Sequence, residues 1–567
     1  MKRSLALVVA GTVAASSTLV PALADTPDTP PPLTTTAAAA ADPINAAKSP
    51  CRQKPDLSGR KPGQLLAHRE LAVDPALLRG ARMFRILYTT TGVDERKVQA
   101  SCGLVLMPEK GQKNQVVAWS HGTVGVHQSC QPSNAPDTFL SNGAIKYGPV
   151  VGPPLVAGSP LDGIWQGLID EGRMVTATDY YSGLGQSAEY QQHYVAGVPA
   201  GAAVLDSVRA GITLAKKVAH REKSSWRLAL WGASQGGHAA IWAGQLARKY
   251  YRVTELNKQP PIKQVGVLAV VPASSFVATD SDPASLIGRH LADLDMHAAL
   301  EEIGPLKIGA TGPILFSQVM ASWADYAQEA TPAKKASFPG YPRSIKPAID
   351  KVLTGPDDGG GVQTAETVSK LCINGTTLPA LAVETNRFLT DPGGNAFFVP
   401  PVWGAPNAQG VWEGQLDRTC LDDPGKKGLQ KWCRWLEYNM PGPEGENPFT
   451  KIPRKADGSY APLTIAQGMD DTLIYCQHPG TSVPAARDCM SRQLYDNFRD
   501  TGMCRTTGLS LDLIAAGPTS PASHLSTMYQ LADNGNAAYK GSRMDDFLSD
   551  AFAGRVKSGC SSQVINK

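Results

Sequence analysis

One stretch in the middle of the chain indicates the fold most directly. It runs Trp226-Arg-Leu-Ala-Leu-Trp231, then Gly232-Ala-Ser-Gln-Gly-Gly237, then a helical pattern over His238–Tyr250. The order of strand, tight turn and helix is that of a nucleophile elbow, which lifts a serine hydroxyl above the end of a sheet. Glycines at positions 232 and 236 suit the crowding at such a turn. The stretch therefore predicts Ser234 as a nucleophile, with an ordinary strand–helix turn as the alternative interpretation.

A serine nucleophile needs a histidine base, and the base needs a carboxylate that orients it. With an elbow of this kind the acid follows the serine along the chain, and the histidine comes last. The predicted strand Leu463–Gln467 leads into Gly468-Met-Asp-Asp471, which an apolar pair follows. This spacing favours Asp471 as the acid, with its neighbour Asp470 as the alternative.

Only His478 and His524 lie beyond Asp471 in the sequence. His478 follows the acid too closely for a strand or helix to separate the two. His524 lies in a polar turn after the predicted strand Leu509–Ala516, where the base is expected. The sequence thus predicts a triad of Ser234, Asp471 and His524.

Acyl transfer at such a serine also needs two backbone N–H donors that bind the developing oxyanion. One expected donor is the N–H of Gln235, directly after the nucleophile. The other is expected in the loop His121-Gly-Thr-Val-Gly125, which follows the predicted strand Gln115–Ser120. Thr123 is the candidate in this loop, and Gly125 is the alternative.

Short apolar runs alternate with helical patterns on both sides of the elbow. Such alternation predicts an α/β fold with a mostly parallel central sheet and helices on both faces. The predicted strands are Met83–Thr90, Val98–Met107, Gln115–Ser120, Arg173–Asp179, Trp226–Trp231, Gln264–Val271, Leu463–Gln467 and Leu509–Ala516, and the predicted helices include Pro199–His220 and Val483–Arg499. After the last of these strands, helical patterns are expected to continue to the C-terminus.

The region 276–458 lacks this alternation and carries helical pieces broken by segments rich in Gly and Pro. It predicts a large, mainly helical cap, inserted between a first core part at 49–275 and a second core part at 459–567. The apolar stretch Phe397–Trp403 within it is expected either to line an acyl tunnel or a lipid-facing lid, or to form the core of the cap itself.

The N-terminus has the features of an export signal. Lys2 and Arg3 precede an apolar run, and Ala22-Leu-Ala24 fits a cleavage site. Residues 1–24 are therefore predicted to be a signal peptide, and residues 25–48, rich in Pro, Thr and Ala, a disordered leader. The expected location is extracellular, or periplasmic in a bacterium with two membranes. No later stretch predicts a transmembrane span.

The composition of the 567 residues, with 42% hydrophobic and 18% charged, is that of a globular protein. A formal net charge of +4 without a dense basic block argues against a nucleic-acid groove. The ten cysteines include no Cys-x-x-Cys pair, so with an export signal they predict disulfides rather than a zinc site. Cys420–Cys433 and Cys476–Cys489 are plausible local pairs.

Taken together, these residues resemble the secretory lipase family of α/β-hydrolases. The resemblance rests on Val116–Thr123 with Cys130-Gln-Pro-Ser133, on Val175–Tyr180 with Gly183-Leu-Gly185, on the elbow and on the acid loop, and it covers most of 65–270 and 460–535. It implies an α/β-hydrolase fold, carboxylic ester hydrolysis, and a disulfide Cys130–Cys372 between loop and cap. The long separation between Ser234 and Asp471 departs from the family, which weakens the inference about substrate more than that about mechanism.

The sequence thus predicts a secreted carboxylic ester hydrolase, like a triacylglycerol lipase, for acylglycerols or related esters. Its partners would be a small-molecule or lipid ester and a lipid–water interface, and not nucleic acid. The predicted mechanism needs no metal and no organic cofactor. The alternatives are a serine peptidase on the same fold and a non-catalytic binding protein, although such proteins typically lose a member of the triad.

Overall fold

A computed structural model gives the architecture of the chain. It describes residues 49–140, 162–180, 192–276, 322, 437–443 and 452–566, with gaps inside these ranges of which the longest spans 477–488. The predicted signal peptide 1–24, the leader 25–48 and most of the predicted cap 276–458 lie outside the described residues.

One sheet of ten strands organises the described part of the chain. The strands are β1 (Leu65–Leu71), β2 (Ala81–Thr91), β3 (Val98–Pro108), β4 (Gln115–Ser120), β5 (Met174–Thr178), β6 (Trp226–Ala233), β7 (Ile262–Val270), β8 (Leu463–Gly468), β9 (Gly508–Ala515) and β10 (Gly559–Asn566). Their order across the sheet is β1-β2-β3-β5-β4-β6-β7-β8-β9-β10. The pairs β1–β2, β2–β3 and β3–β5 are antiparallel, and all other pairs are parallel. The sheet is therefore mostly parallel, as predicted.

Helices cover both faces of this sheet. They are α1 (Asp162–Asp170), α2 (Gly197–Ala219), α3 (Gln235–Val253), α4 (Met490–Asp500), α5 (Ser526–Ala532) and α6 (Arg543–Ala553). Side chains of β4 alternate between two apolar clusters, because successive residues of a strand point to opposite faces. Val117 and Trp119 pack in one cluster with residues of α1, α5 and α6. Val116 and Ala118 pack in the other with residues of α2, α3 and α4.

All eight predicted strands are confirmed within about two residues at each end. The expectation of helical patterns up to the C-terminus is wrong, because the strand β10 follows α6. β10 is almost entirely exposed, so its sequence has no apolar alternation to reveal it. Parallel pairing with β9 and the disulfide Cys504–Cys560 hold it at the edge of the sheet.

Disulfides join both distant and nearby residues in the described chain. Cys51–Cys102 ties the segment before β1 to β3, and Cys476–Cys489 closes the loop before α4. The predicted local pair Cys476–Cys489 is therefore confirmed. Cys130 is also disulfide-bonded. Its predicted partner Cys372, like the predicted pair Cys420–Cys433, lies outside the described residues.

The short segment 437–443, which belongs to the predicted cap, packs on the core. The backbone oxygen of Asn439 accepts hydrogen bonds from His238 Nε2 at 2.9 Å and Trp242 Nε1 at 3.0 Å, both on α3. The side-chain Oδ1 of Asn439 accepts from the N–H of Gly197, at the start of α2, at 2.9 Å. One residue thus joins this segment to two core helices.

The helix α2 is long and apolar enough to cross a membrane by length and composition. However, 94% of its most apolar window is buried inside the fold. It packs against α3 and the sheet, and we therefore describe it as a core helix.

Candidate active site

A single residue makes the turn between β6 and α3, because the strand ends at Ala233 and the helix begins at Gln235. That residue is Ser234, with φ 57° and ψ −121°, a conformation that non-glycine residues rarely adopt. Its N–H donates to Val270 O at 2.9 Å, and its carbonyl accepts from Ala273 N–H at 3.1 Å. The backbone around β7 thus holds the strained serine at the N-terminus of α3, where the helix dipole stabilises negative charge.

Two glycines allow this turn to pack closely. A Cβ on Gly232 would overlap the backbone of Gly236, and a Cβ on Gly236 would overlap Ser120 O. The same Cβ on Gly236 would lie 2.8 Å from His121 O, so the elbow directly contacts the loop after β4. The predicted crowding at positions 232 and 236 is therefore confirmed.

Asp471 and His524 meet at the end of β8. The Nδ1 of His524 lies 2.9 Å from Oδ2 of Asp471, and the Asp471 side chain is fully buried. Because a carboxylate only accepts hydrogen bonds, Nδ1 carries the proton, and Nε2 is left as the basic nitrogen of the ring. This arrangement orients an imidazole that can take a proton from a nucleophile.

Asp470, the alternative acid, faces a different partner. Its Oδ2 accepts from the N–H of Ala522 at 2.9 Å, and its own N–H donates to Ala522 O at 3.1 Å. These two bonds fix the backbone two residues before His524. The structure therefore brings Asp471 to the imidazole and uses Asp470 to hold the turn that carries it. His478 lies outside the described residues.

The buried side chain of Gln467, which the sequence did not predict as part of the site, bonds the predicted acid Asp471. Its Nε2 donates to Oδ2 of Asp471 at 3.0 Å, and its Oε1 accepts from the hydroxyl of Ser491 on α4 at 2.5 Å. The N–H of Ile474 donates to the other carboxylate oxygen at 2.9 Å. The one signal in the sequence is a glutamine at the end of a strand whose other residues, apart from Thr464, are apolar or glycine.

The parallel register brings these segments to one edge of the sheet. Ser120 pairs with Gly232, Val270 pairs with Ala466, and Gly468 pairs with Ile514. The loop after β4, the elbow, the acid loop and the histidine turn therefore all follow the carboxyl ends of neighbouring strands. Sites in open α/β sheets lie at this edge.

The predicted oxyanion donors lie in two of these segments. Gln235 is the first residue of α3, so its N–H has no acceptor within the helix. Thr123 is buried, and its hydroxyl oxygen lies 2.6 Å from the phenol oxygen of Tyr194. Gly125, the alternative to Thr123, has φ 107°. Its carbonyl accepts from Gln131 Nε2 at 3.3 Å.

Two other histidines near the elbow are held uncharged. Burial lowers the pKa of His121 to about 4, although a hydrogen bond to Gly122 O opposes the shift. Burial also lowers the pKa of His238 to about 4, against the effect of its bond to Asn439 O. Both rings are neutral at physiological pH and belong to the packed core. Within the described ranges, no group of acidic, histidine or cysteine side chains could hold a metal ion.

Residues 163–257, which include α2, β6 and the elbow, match the model of the family "Secretory lipase". The secreted triacylglycerol lipase LIP7 of Malassezia globosa is 28% identical over 201 residues, 35% of this chain and 38% of that protein. Lipase A of Moesziomyces aphidis is 26% identical over 196 residues, 34% of this chain and 37% of that protein. The matched region thus spans less than two fifths of either relative.

Similarity of fold extends further along the chain. The X-ray structure of Candida antarctica lipase A has a TM-score of 0.52 at 17% identity, and covers 92% of this chain and 90% of that one. Its closed state gives a TM-score of 0.50 over 90% and 87% of the two chains. The fold is that of an α/β-hydrolase, and the resemblance of this chain to the secretory lipase family is confirmed.

Proposed function

We propose that this protein is a secreted serine hydrolase that cleaves carboxylic esters, with Ser234, His524 and Asp471 as its catalytic triad. The hydrogen bond between His524 Nδ1 and the fully buried Asp471, at the same sheet edge as the strained Ser234, carries the proposal. A strained serine, an oriented imidazole and a buried carboxylate have little use in a binding protein. Together they are what acyl transfer requires.

The proposed reaction begins with proton transfer from the Ser234 hydroxyl to Nε2 of His524. The oxygen attacks the ester carbonyl, and Asp471 stabilises the imidazolium that forms. His524 then gives the proton to the leaving alcohol, so that an acyl-enzyme remains. Water, deprotonated by the same histidine, attacks the acyl carbonyl. His524 then returns this proton to the Ser234 oxygen as its bond to the acyl carbon breaks, which releases the acid and the free serine.

The oxyanion of each tetrahedral intermediate would accept hydrogen bonds from the N–H groups of Gln235 and Thr123. Removal of one such donor from a serine hydrolase costs about 3–4 kcal/mol of transition-state stabilisation. Gln235 also lies at the N-terminus of α3, whose dipole adds to the stabilisation of negative charge. The elbow and the loop after β4 would therefore each supply one oxyanion donor in the same mechanism.

We propose acylglycerols or related esters as the substrates and a location outside the cell. The name of the Malassezia globosa relative, a secreted triacylglycerol lipase, supports both proposals. So does the N-terminal sequence with its charged start, apolar run and cleavage site. We further propose that residues 276–458 form an inserted cap that shapes the acyl site.

A fluorophosphonate probe and a series of p-nitrophenyl esters test the proposed activity. We expect covalent labelling at Ser234, identified by peptide mass spectrometry, and ester turnover that falls about a million-fold in Ser234→Ala. Ser510→Ala is the matched control, because that serine bonds Thr464 within the sheet. Wild-type turnover in a folded Ser234→Ala protein would overturn the assignment. Faster cleavage of peptides than of esters would point instead to a peptidase.

A further inference from the structure

A buried pair of hydroxyl groups joins the proposed oxyanion loop to a second segment of the chain. The hydroxyl oxygen of Thr123 and the phenol oxygen of Tyr194 are 2.6 Å apart. Thr123 is 6% exposed and Tyr194 is 5% exposed, so water competes little for this bond. The triad and the expected backbone donors do not explain why a phenol is fixed at this position.

The segment that carries Tyr194 is attached to the same loop at a second point. The N–H of Gln192 donates to Val126 O at 2.7 Å. The segment is also bonded to Ser322. The hydroxyl of Ser322 donates to Gln192 O at 2.5 Å and accepts from the N–H of Tyr194 at 2.8 Å. The backbone that carries Tyr194 is therefore bonded both to the loop after β4 and to Ser322.

The other end of the loop has its own anchor. The phenol of Tyr180 donates to His121 O at 2.7 Å, directly after β4. Thr123 lies between this anchor at residue 121 and the bond at residue 126. Tyr194 is the side-chain partner of Thr123 at the middle of the loop. Among the bonds in the described part of the chain, the one to Tyr194 fixes the side chain of Thr123 directly.

We propose that Tyr194 is a positioning residue for catalysis, which holds Thr123 so that the N–H of Thr123 points at the developing oxyanion. The inference rests on the function proposed above. A donor must lie about 2.7–3.1 Å from the oxyanion, so a small shift of the loop weakens stabilisation of the transition state. The phenol would act through Thr123 alone and would not touch the substrate.

The variant Tyr194→Phe removes only the phenol oxygen. We expect kcat to fall roughly tenfold to hundredfold while KM changes less than about twofold, because misplaced groups affect the transition state more than substrate binding. The rate of covalent labelling of Ser234 by a fluorophosphonate should fall by a similar factor. Unchanged kcat and labelling rate in a folded Tyr194→Phe protein would overturn the inference.

A double-mutant cycle with Thr123→Val tests the path of the effect. If Tyr194 acts through Thr123, the further loss from Tyr194→Phe should shrink below about twofold in the Thr123→Val background. Fully additive losses would contradict the inference. Thr123→Val removes the threonine hydroxyl of the same bond. Its kcat therefore tests the importance of the bond even if Tyr194→Phe folds poorly.

Tyr250→Phe is the matched control. Its phenol is also paired with a threonine hydroxyl, Thr91, at 2.6 Å, and it donates in addition to Oδ2 of the buried Asp206 at 2.6 Å. Tyr250 lies about 24 Å from Ser234 along α3 at 1.5 Å per residue. We expect Tyr250→Phe to lower the melting temperature and to leave kcat within about twofold of wild type. A fall in kcat as large as that of Tyr194→Phe would mean that both variants act through stability, and the inference would fail.

Failure of the inference and failure of the proposed function give different results. If the wild-type protein is not labelled at Ser234 and does not cleave esters, the proposed function is wrong. If Ser234 is labelled in the wild type at the same rate as in Tyr194→Phe, only the role of Tyr194 is wrong.

Discussion

The elbow around Ser234 and the acid–histidine half of the site reach the same sheet edge but are held in different ways. Main-chain bonds to Val270 and Ala273 and two crowded glycines hold the elbow. In the other half, side chains share this task with the main chain, because Gln467 bonds Asp471 and Asp470 bonds the turn that carries His524. Main-chain bonds can form with almost any residue at the partner position. Side-chain bonds need a particular residue at each position.

The largest expected effect concerns the acid. Asp471→Asn replaces an oxygen that accepts from His524 Nδ1 with an amide, which favours the wrong tautomer of the ring. We expect kcat to fall about 10⁴-fold. Asp470→Asn is the matched control, because its remaining oxygen can still accept from Ala522, and a loss below about tenfold is expected. Equal losses in steady-state ester assays of the two variants would contradict the separate roles of the carboxylates.

Removal of two disulfides, one near the site and one distant from it, is expected to affect stability and activity differently. Loop-closure entropy predicts about 4 kcal/mol for Cys504–Cys560 and about 3 kcal/mol for Cys476–Cys489 from their separations of 56 and 13 residues. The two double Cys→Ser variants should therefore both lose unfolding free energy, measured with urea, and differ from each other by about 1 kcal/mol. Ester turnover should fall only without Cys476–Cys489, because the N–H of Cys476 donates to the backbone oxygen of Asp471. A larger activity loss without Cys504–Cys560 would reverse this interpretation.

In the elbow, Gly236→Ala should be destabilising by about 2–3 kcal/mol, as expected for overpacking against backbone. The added Cβ would meet Ser120 O, which cannot move without disturbing β4. Gly163→Ala serves as the control, because its Cβ would be 3.6 Å from the nearest atom, and no loss of stability is expected. Thermal unfolding of both variants measures the difference. A neutral Gly236→Ala would refute the claim that crowding shapes the elbow.

The smallest expected effect concerns Gln467, whose Nε2 donates to Oδ2 of Asp471, the proposed acid. Gln467→Leu removes its bond to Asp471 and should lower kcat about tenfold, a loss of about 1.4 kcal/mol in transition-state stabilisation. Gln264→Leu is the comparison, because the buried amide of Gln264 has no hydrogen-bond partner in the described part of the chain. If both variants keep wild-type kcat, side-chain support of Asp471 has no catalytic effect.

The same contrast explains what could be predicted from the sequence. The elbow, the eight predicted strands and the fold class follow from local patterns, because strand, turn and helix are neighbours in the chain. The bond between Tyr194 and Thr123 joins residues 71 positions apart, so it has no local signature. Gln467 is only four residues from Asp471, but its side-chain bond depends on how the chain turns after β8. β10 was missed for a related reason, because pairing with β9 and a disulfide hold it without a buried face.

The contacts of Asn439 have a consequence for protein engineering. A chimera that exchanges the region between the two core parts with that of a relative must rejoin the chain somewhere before β8. Residues 437–443 already contact α2 and α3, and Tyr438 is buried in the same apolar cluster as Trp242. A junction placed before Glu437 would keep the native hydrogen bonds of Asn439 to α2 and α3. A junction placed after Met440 would replace these contacts with those of the relative's sequence.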